Sequence, residues 1–190
     1  MIEFVNRAFS DTLDLITKMS DQYFVEEIHE VAKIITSCFL KKHKLLICGN
    51  GGSASEAEHI AGEFVGKFYF DRPALPAIAL TCSTAALTAV ANDYGYENVF
   101  ERQVEAFGKK GDVLLVLTTS GNSKNIIKAC DKAKSMGITS IAMTGENRTV
   151  LHDKCTYSIL VPSSDTPRIQ EAHLMIAHII AQIVEDAVFG

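Results

Sequence analysis

The stretch Lys44–Phe70, KLLICGNGGSASEAEHIAGEFVGKFYF, sets an apolar run, a glycine-rich turn and a polar-studded helix in succession, and this order decides the fold. Lys44 to Cys48 reads as a short buried strand. Gly49-Asn50-Gly51-Gly52-Ser53 then turns the chain into a helix carrying Glu56, His59 and Glu63. Glycines admit positive φ and close approach, and a helix N-terminus offers unpaired N–H groups to an anion or a carbonyl oxygen. The stretch therefore predicts a ligand site on a strand-to-helix junction.

Working outward, the same grammar repeats. Prolines 73 and 76 bound a turn before a second strand, Ala77 to Leu80, and a small-residue helix from Ser83 to Ala91 leads into Asn92-Asp93-Tyr94-Gly95-Tyr96. That segment reads either as a binding loop or as an ordinary helix-ending turn. DVLLVL, residues 112–117, is a continuous apolar run of the kind buried on both faces of a parallel sheet. It runs into Thr118-Thr119-Ser120-Gly121-Asn122-Ser123. A helix from Asn125 to Met136 stops at Gly137, strands follow at Thr139 to Met143 and Tyr157 to Val161, and a helix from Arg168 to Val188 closes the chain. Upstream, Val5, Phe9, Leu13 and Ile16, then Phe24, Ile28, Val31, Ile35 and Cys38, recur at helical spacing. The expectation is one α/β domain over residues 1–190, a doubly wound parallel sheet flanked by helices, with an N-terminal helical arm (1–43) placed in an oligomer interface.

Composition narrows the function. With 190 residues, 47% of them hydrophobic, the chain is long enough to bury roughly 70% of its unfolded surface. Its net charge is −5 with scattered lysines, so no basic stripe marks a nucleic-acid partner. No signal-peptide order opens the chain and no run of about 18 apolar residues is evident, so no membrane association and a cytoplasmic location are expected. Cys38, Cys48, Cys82, Cys130 and Cys155 form no C-x-x-C pair; they read as core thiols of a reducing compartment, not as a zinc site.

Three constellations carry chemistry. The hydroxyls of Thr118, Thr119, Ser120 and Ser123 around Gly121 can surround a phosphate with neutral donors and backbone N–H groups, or can simply cap a helix. His59 and Glu63 stand four apart, on one helix face, as an exposed pair or as half of a metal or substrate site. His178, among Met175, Ile176, Ala177, Ile179 and Ile180, is a core histidine or an acid/base group facing an enclosed pocket. Gly49, Gly51 and Ala54 also fit a dinucleotide fingerprint, but the acid that should bind ribose, Asp71, precedes the next strand and does not end it. No Walker A pattern is present, so no nucleotide cofactor is expected.

Taken in order, GNGGS, H-x-x-x-E, A-N-D-Y-G, T-S-G-N-S and R-I-Q-E-x-H followed by a further helix histidine resemble the sugar-isomerase (SIS) domain proteins, and among them the bacterial phosphoheptose isomerases. The resemblance spans the chain. It implies an aldose–ketose isomerisation of sedoheptulose 7-phosphate to D-glycero-D-manno-heptose 7-phosphate through an enediol, for surface polysaccharide. By motif position it implies that Thr118, Ser120 and Ser123, with Thr119 nearby, hold phosphate. Asn50, Gly51, Gly52, Ser53, Asn92 and Asp93 line the sugar site, and Glu63 and His178 act as acid and base with Gln170 at the same centre. It further implies one zinc per subunit on His59, Glu63, Gln170 and His178, and a homotetramer. Pro167 stands before the arginine where some relatives have an acid, and Asp165 is the nearest substitute. The alternatives are an isomerase of a shorter sugar phosphate and a non-enzymatic SIS protein of the replication-initiator-associating kind.

Overall fold

The computed structural model describes residues 1–190. Its five strands are β1 (Leu45–Gly49), β2 (Ala77–Ala79), β3 (Val113–Thr118), β4 (Thr139–Thr144) and β5 (Tyr157–Leu160), all parallel in the order β2-β1-β3-β4-β5. Eight helices flank them: α1 (Ile2–Met19), α2 (Gln22–Leu40), α3 (Gly52–Val65), α4 (Thr84–Tyr94), α5 (Val99–Phe107), α6 (Lys124–Ser135), α7 (Val150–Lys154) and α8 (Thr166–Phe189). This is the expected doubly wound, flavodoxin-like sheet, with each strand within one residue of its predicted bounds at either end.

The central strands are apolar throughout because both of their faces are covered. Side chains alternate across a sheet, so Leu45, Ile47, Val113, Leu115 and Leu117 join the core shared with α1, α2, α3 and α8. Their neighbours Leu46, Cys48, Leu114 and Val116 join the core under α4, α5, α6 and α7. The helix after β1 thus lies on one face and the helix after β3 on the other. Between the carboxyl ends of these paired strands is the crevice where sheets of this kind bind ligands.

The two arm helices differ in use. Phe24, Ile28, Val31, Ile35 and Cys38 of α2 are buried in the chain's own core, whereas Val5, Phe9, Leu13 and Ile16 of α1 are exposed. Only Leu15 and Met19 of α1 are buried.

Three expectations change. Of the two readings of Asn92–Tyr96 the helix-ending turn holds, but the helix runs past Ala91: α4 continues through Tyr94 and stops at Gly95, whose φ of 88° suits glycine. The closing helix begins at Thr166, because Pro167 is tolerated in a first turn, where its missing N–H is not needed. That helix is also long and apolar enough to cross a membrane by length and composition, with a mean hydropathy of 1.4. Its hydrophobicity serves the core instead, since Ile169, Ile176, Ile180 and Val184 pack under the sheet.

Candidate active site

Helices α3 and α8 lie side by side and parallel, so polar residues spaced along one meet those along the other. At the top, Gly52 faces Gln170, and a Cβ at Gly52 would collide with the Gln170 amide. One turn down, Glu56 and His173 approach to 3.9 Å, both buried. Further down, His59 Nε2 lies 2.8 Å from His178 Nε2 and 3.2 Å from Glu63 Oε1.

The local sequence explains why these groups converge. Gly51 adopts φ 57° ahead of the first turn of α3, a conformation open to glycine, so the chain reverses sharply out of β1. Residues 52, 56, 59 and 63 then fall on one helix face. At the far end, Arg72 donates through Nε to Glu185 at 2.7 Å and through its terminal nitrogens to the carbonyls of Phe64 and Glu63. A cation there satisfies carbonyls that the helix end leaves free. Glu185 also accepts the backbone N–H groups of Phe68, Tyr69 and Phe70. Burial works to raise the Glu185 pKa, but these four hydrogen bonds win and bring it down to about 2. The same loop sets the Phe68 ring 5.9 Å from that of His178.

The ligand atoms of His59, Glu63 and His178 all lie within 4.8 Å of one another, a set able to hold a metal ion. Two imidazoles and a carboxylate suit zinc and leave a fourth position. Gln170 stands eight residues before His178, about 12 Å up the helix axis. It lines a cleft of about 500 Å³ with Gly52, Ser55, Glu56, His59 and Pro167.

The two polar turns meet at the crevice. Asn50 donates to Asn125 Oδ1 at 3.0 Å and accepts from Asn125 Nδ2 at 2.8 Å, so β1 and α6 are joined across it. Tyr96 donates its hydroxyl to Asn50 Oδ1 at 3.0 Å. In the Ser/Thr turn, Thr118 is buried and its hydroxyl accepts from Gly121 N–H, while Ser120 is exposed and Thr119 and Ser123 are half-buried. Ser123 occupies the N-cap of α6 without a side-chain cap bond, so its hydroxyl is available to a ligand. Ser53 is buried in the first turn of α3.

Asn92 and Asp93 are exposed on α4 and hydrogen-bond to each other at 2.8 Å; neither joins the His59 cluster. Asp165, at the N-cap of α8, is exposed and 4.0 Å from Arg168. The sequence names Glu56 beside His59 and Glu63 and holds His173 in R-I-Q-E-x-H without giving either a role, and it gives no sign of Asn125 or of the Tyr96 hydroxyl as site groups. For the first two the signal was present: Glu56 falls on the His59/Glu63 face, and His173 on the Gln170 face.

The SIS domain family profile matches residues 9–145. The chain is 49% identical over 191 residues to a phosphoheptose isomerase of Clostridium acetobutylicum, covering 100% of this chain and 97% of that protein. It is 51% identical to phosphoheptose isomerase 2 of Campylobacter jejuni over 90% of this chain and 86% of that one. The solved phosphoheptose isomerase from Francisella tularensis superposes with a TM-score of 0.94 at 35% identity, covering 97% of this chain and 98% of that one.

Proposed function

The chain belongs to the SIS domain family and, within it, to the phosphoheptose isomerases, and from that premise we propose how its residues carry the reaction. The activity is an aldose–ketose isomerisation that interconverts sedoheptulose 7-phosphate and D-glycero-D-manno-heptose 7-phosphate, and so feeds heptose to surface polysaccharide. The observation that carries the assignment of roles is the convergence of His59, Glu63 and His178 between two parallel helices.

Moving a carbonyl between neighbouring carbons requires one base to take a proton beside a polarised carbonyl and return it to the adjacent carbon of an enediol. Glu63 has the right chemistry. Its Oε1 is turned to His59, which leaves Oε2 to remove the proton and to deliver it again. His178, half-buried and backed by Phe68, carries the proton between the two sugar oxygens. Gln170, set in the cleft by Gly52, orients the hydroxyls of the reacting end.

His59, Glu63 and His178 would hold a zinc ion, whereas Gln170, named in the implied ligand set, stands about 12 Å up the helix axis from His178 and against Gly52, so the cluster itself supplies three ligands. When bound, zinc supplies a Lewis acid that polarises sugar oxygens. Thr118, Ser120 and Ser123, with Thr119 nearby, bind phosphate together with the N–H groups of their turn, Thr118 from beneath, where its hydroxyl also accepts from Gly121 N–H. Along α3 the first turn and His59 are about 10 Å apart. A substrate with phosphate at one end and a carbonyl at the other would therefore lie extended, its remote group positioning the reacting one. Asn50, Gly51, Gly52 and Ser53 line the path between, with Asn92 and Asp93 at its outer margin.

The assembly is a homotetramer in this proposal, supported by the exposed Phe4, Val5, Phe9, Leu13 and Ile16 along α1. A cytoplasmic site of action accords with five unpaired cysteines.

NMR of the purified protein with sedoheptulose 7-phosphate and with shorter sugar phosphates, with and without added zinc, tests the reading. Turnover of the heptulose phosphate is the expected result. Turnover of a shorter sugar alone would overturn the substrate, and no turnover of any would overturn the enzyme.

A further inference from the structure

We infer that Cys130 and Cys155 form a dithiol site that a low-molecular-weight disulfide converts into an intramolecular disulfide. The two sulfurs lie 3.5 Å apart although the residues are 25 positions apart in sequence. Cys130 sits on the buried face of α6, while Cys155 ends α7 and is partly exposed. A reagent can therefore meet the outer sulfur, and the inner one waits directly behind it.

The surroundings favour that order of events. The pairing with Cys130 holds the Cys155 thiol below the ordinary thiol range, with a contact to Ser140 working the same way and burial opposing both. The same pairing, together with burial, pushes the Cys130 thiol up. The thiolate is the nucleophile in thiol–disulfide exchange. Neither feature extends to Cys48, which is fully enclosed, with its thiol held in the protonated state.

In the first step the Cys155 thiolate attacks one sulfur of the reagent R–S–S–R, forming a Cys155–S–S–R bond and expelling R–S⁻, which takes up a proton. In the second, Cys130 loses its proton and its thiolate attacks the Cys155 sulfur, forming the Cys130–Cys155 bond and expelling the second R–S⁻, which is protonated in turn. The two cysteines give up two electrons and two protons, and the reagent gains both as two thiols. Contracting 3.5 Å to a bond of about 2.05 Å calls for a small shift. The single-turn α7 can supply it, since Cys155 already leaves the helix in an extended conformation.

The bond would join the two helices that bracket the Ser/Thr turn. Helix α6 begins at that turn, and Thr149, the N-cap of α7, donates its hydroxyl to the carbonyl of Gly121 at 2.8 Å.

The test incubates the full-length protein with glutathione disulfide, quenches with acid, alkylates, digests and maps the peptides by mass. The Cys130 and Cys155 peptides are expected to be linked and two hydrogens lighter than their reduced sum, whether or not exposed Cys82 carries a mixed disulfide, with dithiothreitol reversing the change. In Cys130→Ser, Cys155 should accumulate as the glutathione mixed disulfide. A stable mixed disulfide at Cys155 in the unsubstituted protein would overturn the inference, as would an unreacted pair while exposed Cys82 is modified.

Discussion

His59 and His178, 119 residues apart in the chain, present their Nε2 atoms to each other at 2.8 Å with the rings inclined at 63°. Each ring projects from a different helix, so neither can leave the contact without α3 and α8 also shifting or the side chain changing rotamer. With Glu63 Oε1 at 3.2 Å from His59, three donors face one point from two rigid supports.

That convergence predicts zinc binding. Purified protein dialysed against zinc should retain about one ion per chain, as three converging donors require. His59→Ala and His178→Ala should each weaken binding by more than about 100-fold, beyond the effect of losing an outer partner. Elemental analysis with competition against a chelator measures both. Undiminished zinc in either variant would remove the cluster as a metal site.

Glu63→Gln keeps the size of the side chain and removes its basicity, and His178→Gln removes the proton carrier. Each should lower kcat by roughly 10²- to 10⁴-fold, the usual worth of a positioned acid or base. The far-ultraviolet dichroism and sugar-phosphate binding should stay near those of the parent. Turnover close to normal in a folded variant would refute the assigned role.

Gly52→Ala tests the packing of Gln170. The added methyl meets the amide of Gln170, so that side chain must swing out of the cleft or the helices must part, at about 1–3 kcal/mol. Activity should fall while the thermal midpoint drops by only a few degrees. An unchanged kcat/KM would show that the position of Gln170 does not matter to the reaction.

Glu185 makes the fold acid-sensitive in a defined window. Its folded-state pKa of about 2 lies below the ordinary 4.5, so its contribution is complete above about 4.5 and is lost as pH falls toward 2. Glu185→Gln should lower stability at neutral pH by about 3–5 kcal/mol, because buried Arg72 loses its partner. The gap from the parent in urea unfolding should narrow between pH 4.5 and pH 2. A gap that is constant with pH would mean that the carboxylate charge is not what stabilises the loop.

The sheet was legible because its strands are enclosed on both faces, and enclosure leaves runs such as residues 113–117 with no polar interruption. Helix α5 was overlooked although Val99, Phe100, Gln103 and Val104 mark one buried face ahead of Gly108. Its short stripe follows a turn that drew attention to itself. Helix α7 is a single turn closed by the Thr149/His152 capping box, too brief for any period to register. At the site, His59 and Glu63 were readable as a pair, since i,i+4 spacing is local. Their meeting with His178 depends on how two distant helices are aligned, and spacing within either helix carries no such information. Asn125 escaped for the same reason, because its partner Asn50 belongs to another strand-to-helix junction.

The side-by-side run of α3 and α8 also works as a ruler. One residue inserted between Gly52 and Glu63 would advance everything beyond it by 1.5 Å and turn it by about 100° around the axis. Glu63 would then leave His178 while Gly52 still faced Gln170. Over this length the chain can accept exchanges of side chain but not changes in count. A change of length is therefore expected to be accepted only outside the paired run of these two helices.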